Sequence, residues 1–206
     1  NEPYDSEKWD SLLDELSWEE SCKLTTWGAN ALSGVASVSA PGAHTGDGPA
    51  GMRDAAGTVC YPSNTVLACT YNKDLADVLG NAFGMEMMDI GYQGIYGPGA
   101  DIHRTNFSGR NWEYFSEDGY LTGSMLANEV SGMRNRGVLP FEKHFALNDQ
   151  ERNRYGVTVW SNEQAIREIY LKGFQASIEE SQTVAVMSSF NRIGCTWAGG
   201  HKGLLT

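Results

Sequence analysis

No stretch of the 206 residues approaches the ~20 consecutive apolar residues that a membrane-spanning helix requires. Positive charge is scarce. Fifteen Lys and Arg against 26 Asp and Glu leave a formal net charge of -11. Nucleic acid and anionic membrane both repel a polyanion, so neither is expected as a partner. Cysteine is sparse as well: Cys22, Cys60, Cys69 and Cys195 include no C-x-x-C pair, which leaves a zinc ribbon or dithiol redox motif unsupported. Their low density also argues against a disulfide framework, and free thiols are expected. The opening Asn1-Glu2-Pro3-Tyr4-Asp5 has neither an initiator Met nor a signal-peptide pattern. It reads as the middle or the processed end of something longer. Internal repeats and low-complexity segments are also lacking.

What is present points to a folded domain. Hydrophobic residues make up 41% of the chain, too many for a disordered segment, and the length suffices for one sizeable core. The 24 glycines cluster in places such as Gly46-Asp47-Gly48-Pro49 and Gly97-Pro98-Gly99, which marks shaped loops where sites are commonly built.

Helical spacing appears first at Trp9, Leu12, Leu13 and Leu16. Ser17 and Glu20 then form a capping-box pattern that opens a second helix. Residues 28–64 read as loops around one short strand. Asn72 suits the cap of a helix whose inner face is expected at Leu75, Val78, Leu79, Ala82 and Phe83. A short strand is expected at 92–96, a helix at 119–136 closed by Gly137, and a strand at 138–145. Ser161 and Gln164 suggest another capping box, followed by a helix burying Ile166, Ile169, Tyr170 and Phe174. The apolar run 183–189 has strand length.

Short apolar strands alternating with helices imply an α/β fold with a parallel sheet. About four β/α units can be counted, half of a (β/α)8 TIM-like barrel of typical size ~250 residues. The domain reading is therefore an incomplete barrel over 1–206, with leading helices in 1–27 and β/α units in 28–206.

In a barrel, function gathers just after the strands. Polar residues crowd those places: Asp47 and Arg53; Asp101, His103, Arg104, Arg110, Asn111 and Glu113; Glu142, Lys143, His144, Asn148, Asp149 and Glu151; then Met187, Ser189, Phe190, Asn191 and Arg192. Each sugar hydroxyl both donates and accepts, so charged side chains of both signs suit a polyhydroxylated ligand. Trp112 and Phe115 read as packing residues. Asp149 and Glu151 read as loop carboxylates serving Arg152 or Arg154. Lys143 and His144 are neighbours that would diverge on a regular strand. For both to reach one ligand, an irregular or cis peptide is expected near 143–145.

Four ordered segments then resemble a known family. Asp47-Gly48-Pro49-Ala50-Gly51-Met52-Arg53, the run from Gly109-Arg110-Asn111-Trp112-Glu113 to Asp118, Lys143-His144-Phe145, and Val186-Met187-Ser188-Ser189-Phe190-Asn191 look like glycoside hydrolase family 3, the β-glucosidase family. The resemblance runs from about residue 8 to the end. It implies retaining hydrolysis of terminal non-reducing β-D-glucosyl or β-xylosyl residues by the full-length protein.

By position, Asp47 matches the aspartate that accepts bonds from the terminal sugar. Arg110, Lys143 and His144 match donors of the same subsite, and Arg53 matches an arginine beside that aspartate. Met187 and Phe190 match residues near the reactive carbon, although Phe190 stands where tyrosine is common. The family needs an aspartate nucleophile and a separate acid/base, with carboxyls about 5–5.5 Å apart. In similar sequences the nucleophile lies on the strand after the Phe190 region, and this chain stops before it. No catalytic residue is therefore assigned, and the fragment alone is expected to be inactive. The stretch Ala146–Glu151 has no histidine, which favours the glucosidase or xylosidase branch over the N-acetylglucosaminidases.

The implied partners are a β-glycoside or oligosaccharide substrate, the rest of the barrel, and a following or preceding domain. No cofactor or metal is implied. Two rival readings remain: a non-catalytic carbohydrate-binding or scaffold protein on the same fold, and a metal-dependent hydrolase built on His44, Asp47, His103 and His144. A nucleotide-binding reading of Gly46–Gly51 fails on its context. Ser39-Ala40-Pro41-Gly42 precedes it rather than a strand, and Pro49 removes a backbone donor.

Overall fold

The computed structural model describes residues 2–28, 30–53 and 55–206. The chain divides into two compact units, 1–45 and 46–206. In the first, α1 (Lys8–Leu13) is followed by α2 (Trp18–Thr26) and β1 (Ala31–Leu32). The capping box forms: Ser17 Oγ accepts from Glu20 N at 3.2 Å, and the Glu20 carboxylate accepts from Ser17 N at 2.9 Å. The helix expected to reach Leu16 ends at Leu13 instead. No residue of α1 is buried, and a helix without an apolar face packed is marginal beyond a turn or two.

Residues 28–64 hold two strands rather than one, because β1 finds a partner. Ala31 pairs with His44 and Leu32 with Ala43, antiparallel, on β2 (Ala43–Asp47). The glycines at Gly34 and Gly42 let this ribbon close. A Cβ on Gly34 would stand 3.0 Å from the backbone nitrogen of Gly42.

The second unit alternates helices with strands. Its elements are α3 (Asn64–Ala68), α4 (Lys73–Asp89), β3 (Gly94–Tyr96), α5 (Gly119–Arg134), β4 (Leu139–Pro140), β5 (Glu142–Phe145), β6 (Thr158–Val159), α6 (Glu163–Ala165), α7 (Lys172–Ser181), β7 (Val186–Ser188), β8 (Arg192–Ile193), β9 (Thr196–Trp197) and α8 (Lys202–Leu205). Strand β3 pairs with β4 in parallel, and β5 with β7 in parallel. The expected single strand over 138–145 is two. Pro140 has no N–H to continue a ladder. Phe141 N still donates to Ile95 O at 2.8 Å, and after it the chain turns to pair with β7.

Asn72 caps α4 as expected, accepting from Asp74 N and Leu75 N at 3.1 Å. The buried face differs from expectation. Ala76, Gly80, Phe83, Gly84 and Met87 are inside, while Leu75, Val78 and Ala82 are exposed. Close helix contact decides the face. A Cβ on Gly80 would fall 2.1 Å from Glu129 O, and one on Gly132 would fall 2.4 Å from Asp77 O. The small residues therefore let α4 and α5 approach, and hydrophobicity alone does not pick the face.

The cap after β6 is Asn162, not Ser161: its Oδ1 accepts from Ala165 N at 2.8 Å. Helix α6 continues through a π turn, Ile166–Tyr170, into α7. Of that helix's expected inner face only Phe174 is fully buried; Ile166, Ile169 and Tyr170 are half-buried. Two core clusters result. One joins Leu67, Ala76, Phe115, Leu126, Val130 and Phe174; the other joins Met52, Phe83, Met87, Ile95 and Met133. All four cysteines are free thiols.

Candidate functional site

The strand ends of the second unit open into a cavity of about 900 Å³. Asp47 enters it from the end of β2. The loop that follows is held by Arg53 N donating to Asp47 O at 2.8 Å. Gly48 and Gly51 adopt φ of 140° and 125°, a region that side chains rarely tolerate. A Cβ on Gly48 would lie 1.8 Å from Gly51 O, so only glycine can make this turn.

Lys143 and His144 enter from β5, and both line the cavity. The peptide between them is cis, as is Phe145-Ala146, which meets the expectation of irregular backbone there. The ladder with β7 shifts register between Lys143 and Phe145.

The charged groups alternate in sign. Lys143 Nζ donates to Asp47 Oδ1 at 2.8 Å and lies 3.7 Å from Glu113 Oε2. Glu113 bonds Arg110 through Nε. Arg110 Nη1 lies 3.5 Å from Glu151 Oε1, and Glu151 Oε2 accepts from Arg154 at 2.9 Å. Arg53 stands 3.7 Å from Asp47. The Lys143 side chain is only 2% exposed while Asp47 keeps 39%, so Asp47 is the open end of this chain. Burial alone would raise the Asp47 carboxyl. The bond from and charge of Lys143, with help from Arg110, hold it below the usual aspartate range instead.

Behind the wall, Asp101 accepts from His144 N at 2.8 Å and from Asn148 N at 2.9 Å. One buried carboxylate thus anchors the turn that carries His144.

All seven expected binding residues, Asp47, Arg53, Arg110, Lys143, His144, Met187 and Phe190, line this one cavity. Glu151 serves Arg154 as expected, and it also lines the cavity beside Arg110. Asp149 does neither. It is largely buried, and burial together with the Asp101 charge pushes it up to about 7 against the opposing charge of Arg104. His103 and Arg104 lie outside the cavity, against a smaller one beside Tyr71 and Phe115.

Trp112 is a correction. It does not pack inside; it lines the cavity and is 53% exposed. A tryptophan flanked by the polar Asn111 and Glu113 in a strand-end loop is the signal that could have shown this, because neither neighbour offers the ring an apolar surface to fold against. Phe115 is core, as expected. Sequence reasoning also missed Tyr96, Arg154 and Tyr114. Phe190 packs against Tyr155, their rings tilted by 48° with centroids 4.6 Å apart, and the Arg154 guanidinium lies 4.8 Å from its centroid. Among the described residues, no three His, Cys, Asp or Glu side chains converge as metal ligands.

Parallel strands alternating with helices, with polar side chains gathered where the strands end, define the class of α/β barrel proteins. Within that class the chain belongs to one family: residues 29–206 match the glycosyl hydrolase family 3 N terminal domain. It is 40% identical over 190 residues to a beta-glucosidase of Ruminococcus albus, covering 89% of this chain and 20% of that protein. It is 34% identical over 206 residues to an exo-alpha-(1->6)-L-arabinopyranosidase of Bifidobacterium breve, covering 93% and 27%.

Among solved structures, beta-glucosidase 3B from Thermotoga neapolitana in complex with glucose superposes with a TM-score of 0.87 at 32% identity, over 97% of this chain and 32% of that one. The architecture is a partial (β/α)8 barrel, and the chain spans about a fifth to a third of the length of these relatives.

Proposed function

We propose that this chain supplies the sugar-gripping part of a retaining β-glucosidase-like hydrolase acting on terminal non-reducing β-glucosyl or β-xylosyl residues. The observation that carries the reading is the open Asp47 carboxylate held by buried Lys143. A carboxylate fixed in this way accepts two sugar hydroxyls at once, and the paired cation cannot leave without stranding a buried charge. Lys143, Arg110 and His144 donate to neighbouring hydroxyl oxygens, and Arg53 steadies Asp47 from the solvent side. Met187 and Phe190 provide an apolar floor beside the reacting carbon. Trp112 offers a ring face against which a sugar ring can stack.

The nucleophile and the acid/base are assigned to parts of the whole protein outside these 206 residues. Residues 28–206 act as the β/α units and 1–27 as leading helices, and the substrate is a β-glycoside or oligosaccharide. The names of the relatives span glucosidase and arabinopyranosidase, so the sugar is best read from a panel of aryl glycosides.

The test is Asp47→Ala in the full-length protein with an aryl β-glucoside. Hydrogen bonds to a charged group contribute about 1.5–3 kcal/mol each, so kcat/KM falls at least about tenfold. Wild-type kinetics in that variant overturns the assignment. Binding of the glycoside without any turnover by the full-length protein points instead to a scaffold role.

A further inference from the structure

His144 is a ring with two nitrogens facing different surroundings. Nδ1 lies 3.0 Å from the Tyr114 hydroxyl. Nε2 makes no hydrogen bond among the described residues and is the nitrogen left for the cavity that the ring lines. Which nitrogen carries the proton decides whether this wall donates or accepts.

The surrounding bonds fix the answer, starting from the Glu151 carboxylate, which only accepts. The Glu151 carboxylate, paired with Arg154 at 2.9 Å and Arg110 at 3.5 Å, accepts from Asn148 Nδ2 at 3.0 Å. That contact sets the orientation of the Asn148 amide, since its oxygen would be repelled there. The second N–H of the same nitrogen points to the Tyr114 oxygen at 2.9 Å. Tyr114 therefore accepts from Asn148 and must send its own proton elsewhere. It is 1% exposed, so water does not take that proton. Burial first, and then the charge of Asp101, raises the Tyr114 hydroxyl well above its usual range, so the proton stays on oxygen. The acceptor within hydrogen-bond reach is His144 Nδ1. Asp101 Oδ2 is 3.6 Å from that nitrogen and already accepts from His144 N.

We infer that Tyr114 is a positioning residue that holds His144 in the Nε2–H tautomer, so that this wall of the cavity presents a donor and not an acceptor. A ligand must place an oxygen lone pair there. A hydroxyl or ether oxygen satisfies this, whereas an ammonium or other pure donor is rejected. The inference deepens the sugar-binding reading and rests on it only for what the donor meets. The tautomer itself is a property of the protein without ligand.

The tautomer is read from long-range proton–nitrogen correlation spectra of 15N-histidine-labelled protein at mildly alkaline pH. The His144 signals are identified by their loss in His144→Gln. The wild type shows Nε2 protonated and Nδ1 bare, and Tyr114→Phe shows a mixture of both tautomers. Should Tyr114→Phe fail to fold, Glu151→Gln serves the same purpose, because an amide at 151 no longer dictates the Asn148 orientation. In the full-length protein, Tyr114→Phe raises KM for an aryl glycoside about tenfold, as the loss of one oriented hydrogen bond does, with a smaller change in kcat. An Nδ1–H or doubly protonated His144 in the wild type overturns the inference, as does a tautomer unchanged in both variants. If instead the tautomer is as stated but Asp47→Ala keeps wild-type kinetics, the sugar reading fails and the tautomer assignment stands.

Discussion

Glu129 sits within α5 with no solvent exposure, and neither of its carboxylate oxygens has a hydrogen-bond partner among the described residues. Burial pushes its pKa from 4.5 up to about 8. Glu142, on the helix side of β5, is pushed up to about 7 by burial, against the hydrogen bond from Ser177. In the window from about 4.5 to about 8 the folded chain keeps the Glu129 proton and the unfolded chain has lost it. Unfolding then releases a proton, so stability is greatest at acid pH and falls as pH rises, levelling off above the folded pKa. Glu129→Gln removes Glu129's share of this dependence, and melting temperature plotted against pH falls less steeply between pH ~5 and ~8 than in wild type, the remainder coming from Glu142 and Asp149. Parallel curves for the two proteins would mean that Glu129 does not hold its proton in the fold. Nothing in the pattern around Glu129 announces this burial. A lone glutamate on a helix is ordinarily solvated, and only the packing of a neighbouring helix removes its water. Asp47 and Lys143, on the short strands β2 and β5, and Arg110, in the loop after β3, were legible as cavity-lining residues because charged side chains cluster there, at the strand ends of a barrel.

At the level of elements, the helix crossings rest on missing side chains. Gly80 and Gly132 set the approach of α4 to α5, and on the other side of α5 a Cβ on Gly123 would meet Ala176 Cβ at 2.5 Å. Gly132→Ala must push backbone, because its Cβ would meet Asp77 O at 2.4 Å and Asn81 N at 2.6 Å. Such overpacking costs about 1–3 kcal/mol, visible as a lower denaturant midpoint. Gly156→Ala, where the nearest atom is 4.0 Å away, is the matched control and stays near wild type. Equal midpoints for the two variants would show that the crossing is not tight.

Caps are local, so Ser17–Glu20 and Asn72 were readable from a few residues. The buried face of α4 was not. It is chosen by what the helix leans on, and Leu75 and Val78 lose to Gly80 and Gly84 because closeness of approach outweighs side-chain hydrophobicity. Asn162 displaced Ser161 for a similar reason: either residue can cap, and the strand before them decides which is in register.

For the molecule as a whole, the reading predicts a division of labour. Uncatalysed glycoside cleavage is very slow, and binding groups alone do not supply a covalent nucleophile. The purified 206-residue chain is therefore expected to bind an aryl β-glucoside weakly and release no aglycone, while the full-length protein turns it over. Turnover by the short chain, abolished by Glu151→Gln or Asp149→Asn, would relocate the chemistry to this cavity.

The Asp47 loop adds a consequence in time rather than in energy. Its turn can exist only as glycine at position 48 permits, and the backbone bond from Arg53 closes it without help from any ligand. On the proposed sugar-binding reading, the seat is thus standing before the sugar arrives. Arrival should register as a single exponential whose rate rises linearly with sugar concentration, with no plateau from a preceding rearrangement. Discrimination among sugars then falls on how long each one stays.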